Sequence, residues 1–244
     1  MRFSVLSLFP EQVENFLKTS MIGRAMEKKI IELESVQIRD FAENRYGQVD
    51  DTLFGGGMGM LMMCEPIYRA WKSIEKKEKS HTVFFSPKGT VFTQQKAIDL
   101  SKKEHLIFIC GHYEGVDQRV LDEIVDEEIS LGDYVLTGGE IAACTIIDSV
   151  SRMVEGVLPD KRAYEEESHM TGLLEAPQYT RPEIWRDRAV PPVLLTGHHE
   201  NIRKWRKNMA LRDTMRLRPD LFEKINCTEE EWLFLLSELH GGIV

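Results

Sequence analysis

Strand-like and helix-like segments alternate from the N-terminus to about Met153, and this alternation restricts the fold most, because it is the pattern of a parallel sheet covered by helices. It predicts strands over Arg2–Leu8, Val36–Arg39, His81–Ser86, His105–Ile109 and Glu128–Ser130, with helices near Pro66–Lys79, Phe92–Ser101 and Gly139–Met153. The 244 residues, 42% of them apolar, suffice for one large domain or two small ones. From Val154 to about Trp185 the chain turns polar, acidic and proline-containing, which reads as a linker or a moving loop. From Thr196 to Leu239 it is helical again, and "TEEEW" (228–232) has the pattern of a capped helix start. The expected organisation is an α/β domain over 1–160, an interdomain linker over 161–185 and a small helical C-terminal domain over 186–244. No internal repeat is visible.

Three of the strand runs end in unusual loops. "HTVFFSPKG" (81–89), "HLIFICGHYEG" (105–115) and "LGDYVLTGGE" (131–140) each stop at glycine before a helix-like segment. Glycine at such a junction admits a close backbone approach or a positive φ. Three special strand ends suggest one shared ligand.

Several function classes are disfavoured. No apolar run approaches the roughly 20 residues of a membrane helix, and the start "MRFSVLSLFPEQ" lacks a basic region and a long apolar core, so a soluble, unexported, cytoplasmic protein is expected. Cys64, Cys110, Cys144 and Cys227 lie far apart without metal-ligand spacing, and are read as reduced thiols. "DDTLFGGGMGMLMM" (50–63 with its leading aspartates) has a glycine cluster but no following Lys-Ser/Thr, so it is read as a substrate-facing loop and not as a triphosphate cradle. His198–His199 reads as ordinary surface, and neither G-x-S-x-G nor H-E-x-x-H occurs. The net charge of −9 argues against indiscriminate polyanion binding, yet 203–218 is strongly basic. Arg203, Lys204, Arg206 and Lys207 stand in that run, with Ile202, Trp205 and Met209 at helical spacing, which favours an RNA or phosphate partner.

The motifs "SLFPE" (7–11), "FGGGMGMLMM", "FSPKG", "CGHYEGVDQRV", "GDYVLTGGE", "DSVSRMVEGVLP" (148–159), "GLLEAPQYTRP" (172–182) and "VPPVLLTGHH" (190–199) occur in an order that resembles the bacterial tRNA (guanine-N1)-methyltransferases, knotted SPOUT-class enzymes that use S-adenosylmethionine. The resemblance covers essentially the whole chain. It implies a trefoil knot in the α/β domain, an arrangement outside the general rules of chain topology. It also implies that the cofactor is enclosed by Phe84, Ser86 and Pro87, by Gly111, Tyr113 and Glu114, and by Leu131, Gly132, Asp133, Tyr134, Val135, Leu136, Gly138 and Gly139. A homodimer with the active site at the subunit interface is implied as well, with 161–175 as the crossing segment, and so is tRNA as substrate, methylated at N1 of the guanosine at position 37.

The chemistry sets its own demands. A sulfonium methyl is already electrophilic and requires no metal, whereas guanine N1 carries a proton at neutral pH. A carboxylate to take that proton and a cation to meet the charge developing on O6 are needed. Arg152 matches the family's catalytic arginine, and Glu167 matches its catalytic acid, commonly an aspartate, with Glu166 as the neighbouring alternative. The chain also departs from the family pattern at Met58, Lys88, His112 and Ala142, where proline, glutamine, arginine and proline are common. Gly139→Val is expected to abolish cofactor binding in a protein that still folds.

Overall fold

A computed structural model describes residues 1–160, 164 and 167–241 of the protein. Glu166, the alternative base, and part of the expected crossing segment lie outside the described residues. The chain divides into two compact units, Met1–Asp160 and Lys161–Val244.

In chain order the first unit runs β1 (Arg2–Ser7), α1 (Pro10–Leu17), α2 (Ser20–Glu27), β2 (Glu32–Gln37), β3 (Asp50–Thr52), β4 (Met60–Met62), α3 (Cys64–Ser73), β5 (Ser80–Val91), α4 (Gln94–Leu100), β6 (His105–Ile109), α5 (Gln118–Ile124), β7 (Glu127–Ser130) and α6 (Glu140–Ser151). Five of the strands form a parallel sheet in the order β2–β1–β6–β5–β7. Every residue of β6 is buried, as a central strand covered on both faces requires. The period-two alternation splits its side chains. Leu106 and Phe108, with Phe3 and Val5 of β1, pack under α1, α2, α4 and α6, whereas Ile107 and Ile109, with Leu6, pack under α3 and α5. Phe108 is stacked between Phe3 and Phe85, at centroid distances of 6.2 and 5.5 Å.

The N-terminal end of the sheet hides a polar cluster. His105 is fully buried, its Nε2 2.8 Å from Ser4 Oγ and its Nδ1 3.3 Å from Ser80 Oγ. Ser4 also donates to Glu34, which Arg2 pairs at 3.1 Å. Burial, with Arg2 adding to it, pushes the His105 pKa down to about 4.

Several element boundaries differ from the expectation. Helices α1, α2 and α5 were not anticipated; they are only seven or eight residues long, and α1 buries just Val13 and Leu17, too few for a periodicity to stand out. Strand β2 lies at Glu32–Gln37, upstream of the expected Val36–Arg39, because its polar "ELES" start is an edge segment; Ile38–Phe41 forms a 3-10 turn. Helix α3 starts earlier and stops at Ser73, where the chain leaves helical geometry at Ile74, six residues before the expected Lys79. Strand β5 continues past Ser86 to Val91, with a register break between Phe85 and Thr90, so "SPKG" bulges out of a strand instead of ending it. Helix α4 accordingly begins at Gln94, where Thr93 Oγ1 accepts from Lys96 N at 3.3 Å.

The second unit contains the hairpin β8 (Ile184–Trp185) and β9 (Arg188–Ala189), a 3-10 turn at Pro192–Leu195, and the helices α7 (His199–Leu217), α8 (Pro219–Phe222) and α9 (Glu229–Gly241). Met209, Ala210, Leu211, Asp213 and Thr214 of α7 and Glu231 and Leu235 of α9 are buried, and the two helices pack together. The expected capped start is a reciprocal box, since Thr228 N donates to Glu231 Oε2 at 2.8 Å and Glu231 N to Thr228 Oγ1 at 3.3 Å. Part of the polar segment packs within this unit. Leu174 N donates to the buried Thr214 Oγ1 at 2.9 Å, and Tyr179 lies 6.3 Å from Trp205. Among the described residues no helix is long and apolar enough to cross a membrane.

Candidate functional site

The bulge within β5 lies between the C-terminal ends of its neighbours β6 and β7, so the three glycine-bearing loops converge. Between them opens a cavity of about 470 Å³, at the sheet edge where open α/β folds bind their ligands and within the size range of small-molecule sites. The bulge after Phe85 forms one wall, residues 111–116 a second, and residues 131–139 with the start of α6 the third.

Of the cofactor candidates, Phe84, Ser86, Pro87, Gly111, Tyr113, Glu114, Leu131, Gly132, Tyr134, Val135, Leu136, Gly138 and Gly139 all line this cavity, and Asp133 does not. Tyr113 holds a positive φ of 59° and its hydroxyl accepts from Arg39 Nη2 at 3.4 Å. Tyr113 and Tyr134 are both about half exposed at the mouth. Lys88, His112 and Ala142, noted only as departures from the family pattern, are lining residues too. Gln118 and Thr137 line it as well, and carried no sequence signal beyond their place beside the glycines.

Gly139 is where two walls touch. Its N donates to Gly111 O at 3.1 Å, and a Cβ added to it would stand 2.7 Å from the Cα of Cys110. Main chain cannot yield as a flexible side chain does. Gly139→Val therefore disrupts the junction itself, contrary to the expectation of a folded protein with a blocked pocket, and Leu136→Ala, which trims a lining side chain, is the cleaner probe of the cavity. The glycine-rich segment forms the turn of the hairpin β3–β4, with Phe54 and Met58 almost fully exposed. Strand β4 holds the second wall in place, since Glu114 N donates to Met60 O at 3.0 Å and Met62 N to Gly115 O at 2.9 Å. Asp117 then caps α5, and the Arg119 guanidinium beside it holds its carboxyl well below the usual carboxylate range. Burial pushes the Cys110 thiol, behind Gly139, well up.

Arg152 belongs to the first unit, where it closes α6 with its N–H directed at Asp148 O and Val150 O. Glu167 belongs to the second, in a turn in which its N donates to Tyr164 O and its carbonyl accepts from Met170 N, both at 3.2 Å. The four basic candidates of α7 are exposed, but two are engaged. Lys204 pairs with Glu230, and Lys207 pairs with Glu231 at 2.5 Å. That lysine, followed by the Thr228 backbone, lowers the Glu231 pKa. No cluster of His, Cys, Asp or Glu able to hold a metal ion occurs among the described residues.

Comparison with known proteins is consistent along the chain. The family described as tRNA (Guanine-1)-methyltransferase TrmD matches residues 1–224. A tRNA (guanine-N(1)-)-methyltransferase of Ruminiclostridium cellulolyticum is 51% identical over 227 residues, covering 92% of this chain and 97% of the relative. One of Clostridium botulinum is 52% identical over 231 residues, 95% of each chain, and one of Clostridium tetani 48% identical over 237 residues, 97% of this chain and 98% of the relative. With that match spread over both units, the chain belongs to the tRNA (guanine-1)-methyltransferase family.

Proposed function

We propose that this chain transfers the methyl group of S-adenosylmethionine to N1 of guanosine 37, just 3′ of the anticodon, in a subset of tRNAs. The observation that carries the reading is the cavity shared by the β5 bulge and the ends of β6 and β7, present in a chain whose relatives are named for methylating guanine N1 in tRNA. The cavity suits the donor. Phe84, Leu131 and Leu136 offer apolar surface for an adenine, and Gly111, Gly132, Gly138 and Gly139 put no side chain between the main chain and a bound ligand. When bound, S-adenosylmethionine supplies a methyl group on a positively charged sulfur.

The remaining work falls to the protein. Glu167 takes the N1 proton of guanine, and Arg152 meets the negative charge that develops on O6 as that proton leaves. Arg203, Lys204, Arg206 and Lys207 of α7 hold tRNA phosphates. The enzyme acts in the cytoplasm as a homodimer with its active site at the subunit interface, its α/β domain carries the trefoil knot of its class, and 161–185 links the two domains.

The test is a methyl-transfer assay with labelled S-adenosylmethionine and a tRNA transcript, followed by digestion and chromatography of the nucleosides. Label in 1-methylguanosine, absent from a transcript with adenosine at position 37, is expected. Label on a ribose 2′-oxygen would replace this reading with that of another knotted methyltransferase, and no transfer at all would leave only an RNA-binding module.

A further inference from the structure

Glu140 opens α6 with its side chain only 4% exposed. A helix N-terminus favours a carboxylate, but solvent would serve that purpose equally well; burial is costly unless the charge is matched. Its two oxygens are both taken up. His112 Nε2 lies 2.9 Å from each, and Ser7 Oγ donates to Oε1. These partners come from separate parts of the chain, Ser7 from the end of β1 and His112 from the second cavity wall.

Each partner is itself fixed. Ser7 Oγ accepts from Phe9 N at 2.8 Å, and the Phe9 ring stands edge-on to the imidazole at 5.1 Å. His112 N is directed at Met62 Sδ, 3.2 Å away in β4. The pair lies directly over Gly138, where an added Cβ would come within 2.5 Å of both His112 Nε2 and Glu140 Oε2. Gly138 and Gly139 thus carry no side chain for two different reasons, the first to seat the pair and the second to seat Cys110.

We propose that Ser7, His112 and Glu140 form a clasp that sets the spacing between the second and third walls of the cavity, and that His112 is thereby a positioning residue for the methyl donor. This rests on the reading of the cavity as the S-adenosylmethionine site. The clasp lies on one flank of the Gly138–Gly139 turn and the Gly139–Gly111 hydrogen bond on the other, so releasing it loosens the turn without removing any donor-binding backbone group. The expected signature is weaker donor binding with the chemical step retained.

The experiment is calorimetric titration of the purified full-length protein with S-adenosylmethionine, joined to methyl-transfer kinetics on tRNA. His112→Ala and Glu140→Gln should each raise the donor Kd and KM about tenfold or more, with kcat at saturating donor within about threefold of wild type. The double variant should be no worse than the poorer single one, as for groups acting through one contact. His112→Arg, which returns a donor to the carboxylate, should restore affinity to within about threefold. Unchanged donor affinity in folded His112→Ala, or additive losses, would overturn the clasp; a fall in kcat and thermal midpoint as large as the rise in KM would mark a merely structural pair. If His112→Ala does not fold, the isosteric Glu140→Gln decides by the same criteria. Wild-type protein that fails to bind S-adenosylmethionine would sink the reading of the cavity, whereas wild-type binding with normal variants sinks only the clasp.

Discussion

Glu167, the proposed base, sits in a turn closed by backbone hydrogen bonds on both sides. Glu167→Gln keeps shape and reach but removes basicity, so single-turnover methylation should slow by about 10²–10⁴-fold while tRNA and donor still bind. Arg152→Ala should slow the same step, and the two losses should not add. Near wild-type rates in Glu167→Gln would move the base elsewhere. His105 makes a separate prediction. Its folded pKa of about 4 lies below its ordinary 6.5, so as pH falls from 6.5 the unfolded chain takes up a proton that the folded chain refuses. Stability is therefore lost on acidification, by about 2–3 kcal/mol between pH 7 and 4.5 from this group alone. Chemical denaturation at the two pH values should show the wild type losing that much more than His105→Gln; parallel losses would contradict it. Sequence reasoning picked out the glycines around the cavity because glycine is chosen for backbone reasons that leave a trace in the chain itself. It could not weigh His112, whose importance comes from Glu140, 28 positions away.

Helix α7 shows what a charge pattern conceals. The basic run gives the sign of the surface but not its internal pairing, and α9 places Glu230 and Glu231 against Lys204 and Lys207. Exposed Arg203 and Arg206 should therefore dominate phosphate contact. Replacing either with Gln should lower the slope of log Kd against log salt by about one unit each, and replacing Lys204 or Lys207 should lower it by less, because each neutralisation also frees a carboxylate. Binding of tRNA measured across a salt series checks this, and four equal slopes would contradict it. The capped start of α9 was readable from "TEEEW" since a capping box is purely local. The continuation of β5 through Val91 was not, because it depends on pairing with β7, which lies almost forty residues further along the chain.

For the molecule as a whole, alternation of elements revealed a parallel sheet but not the order β2–β1–β6–β5–β7, which long-range packing decides. The expected homodimer is a property at this scale. Sedimentation at micromolar concentration should give about twice the 28.2 kDa chain mass, and a fully active monomer would contradict the shared active site. The glycine pair in the third wall of the cavity also bears on how resistance to an inhibitor would arise. A compound seated against Gly138 and Gly139 rests on two positions where even one added methyl group collides with the fold. Cells under such selection would escape by making more of the enzyme, by keeping the compound out, or by exchanging a neighbouring side chain, before they escaped by altering either glycine.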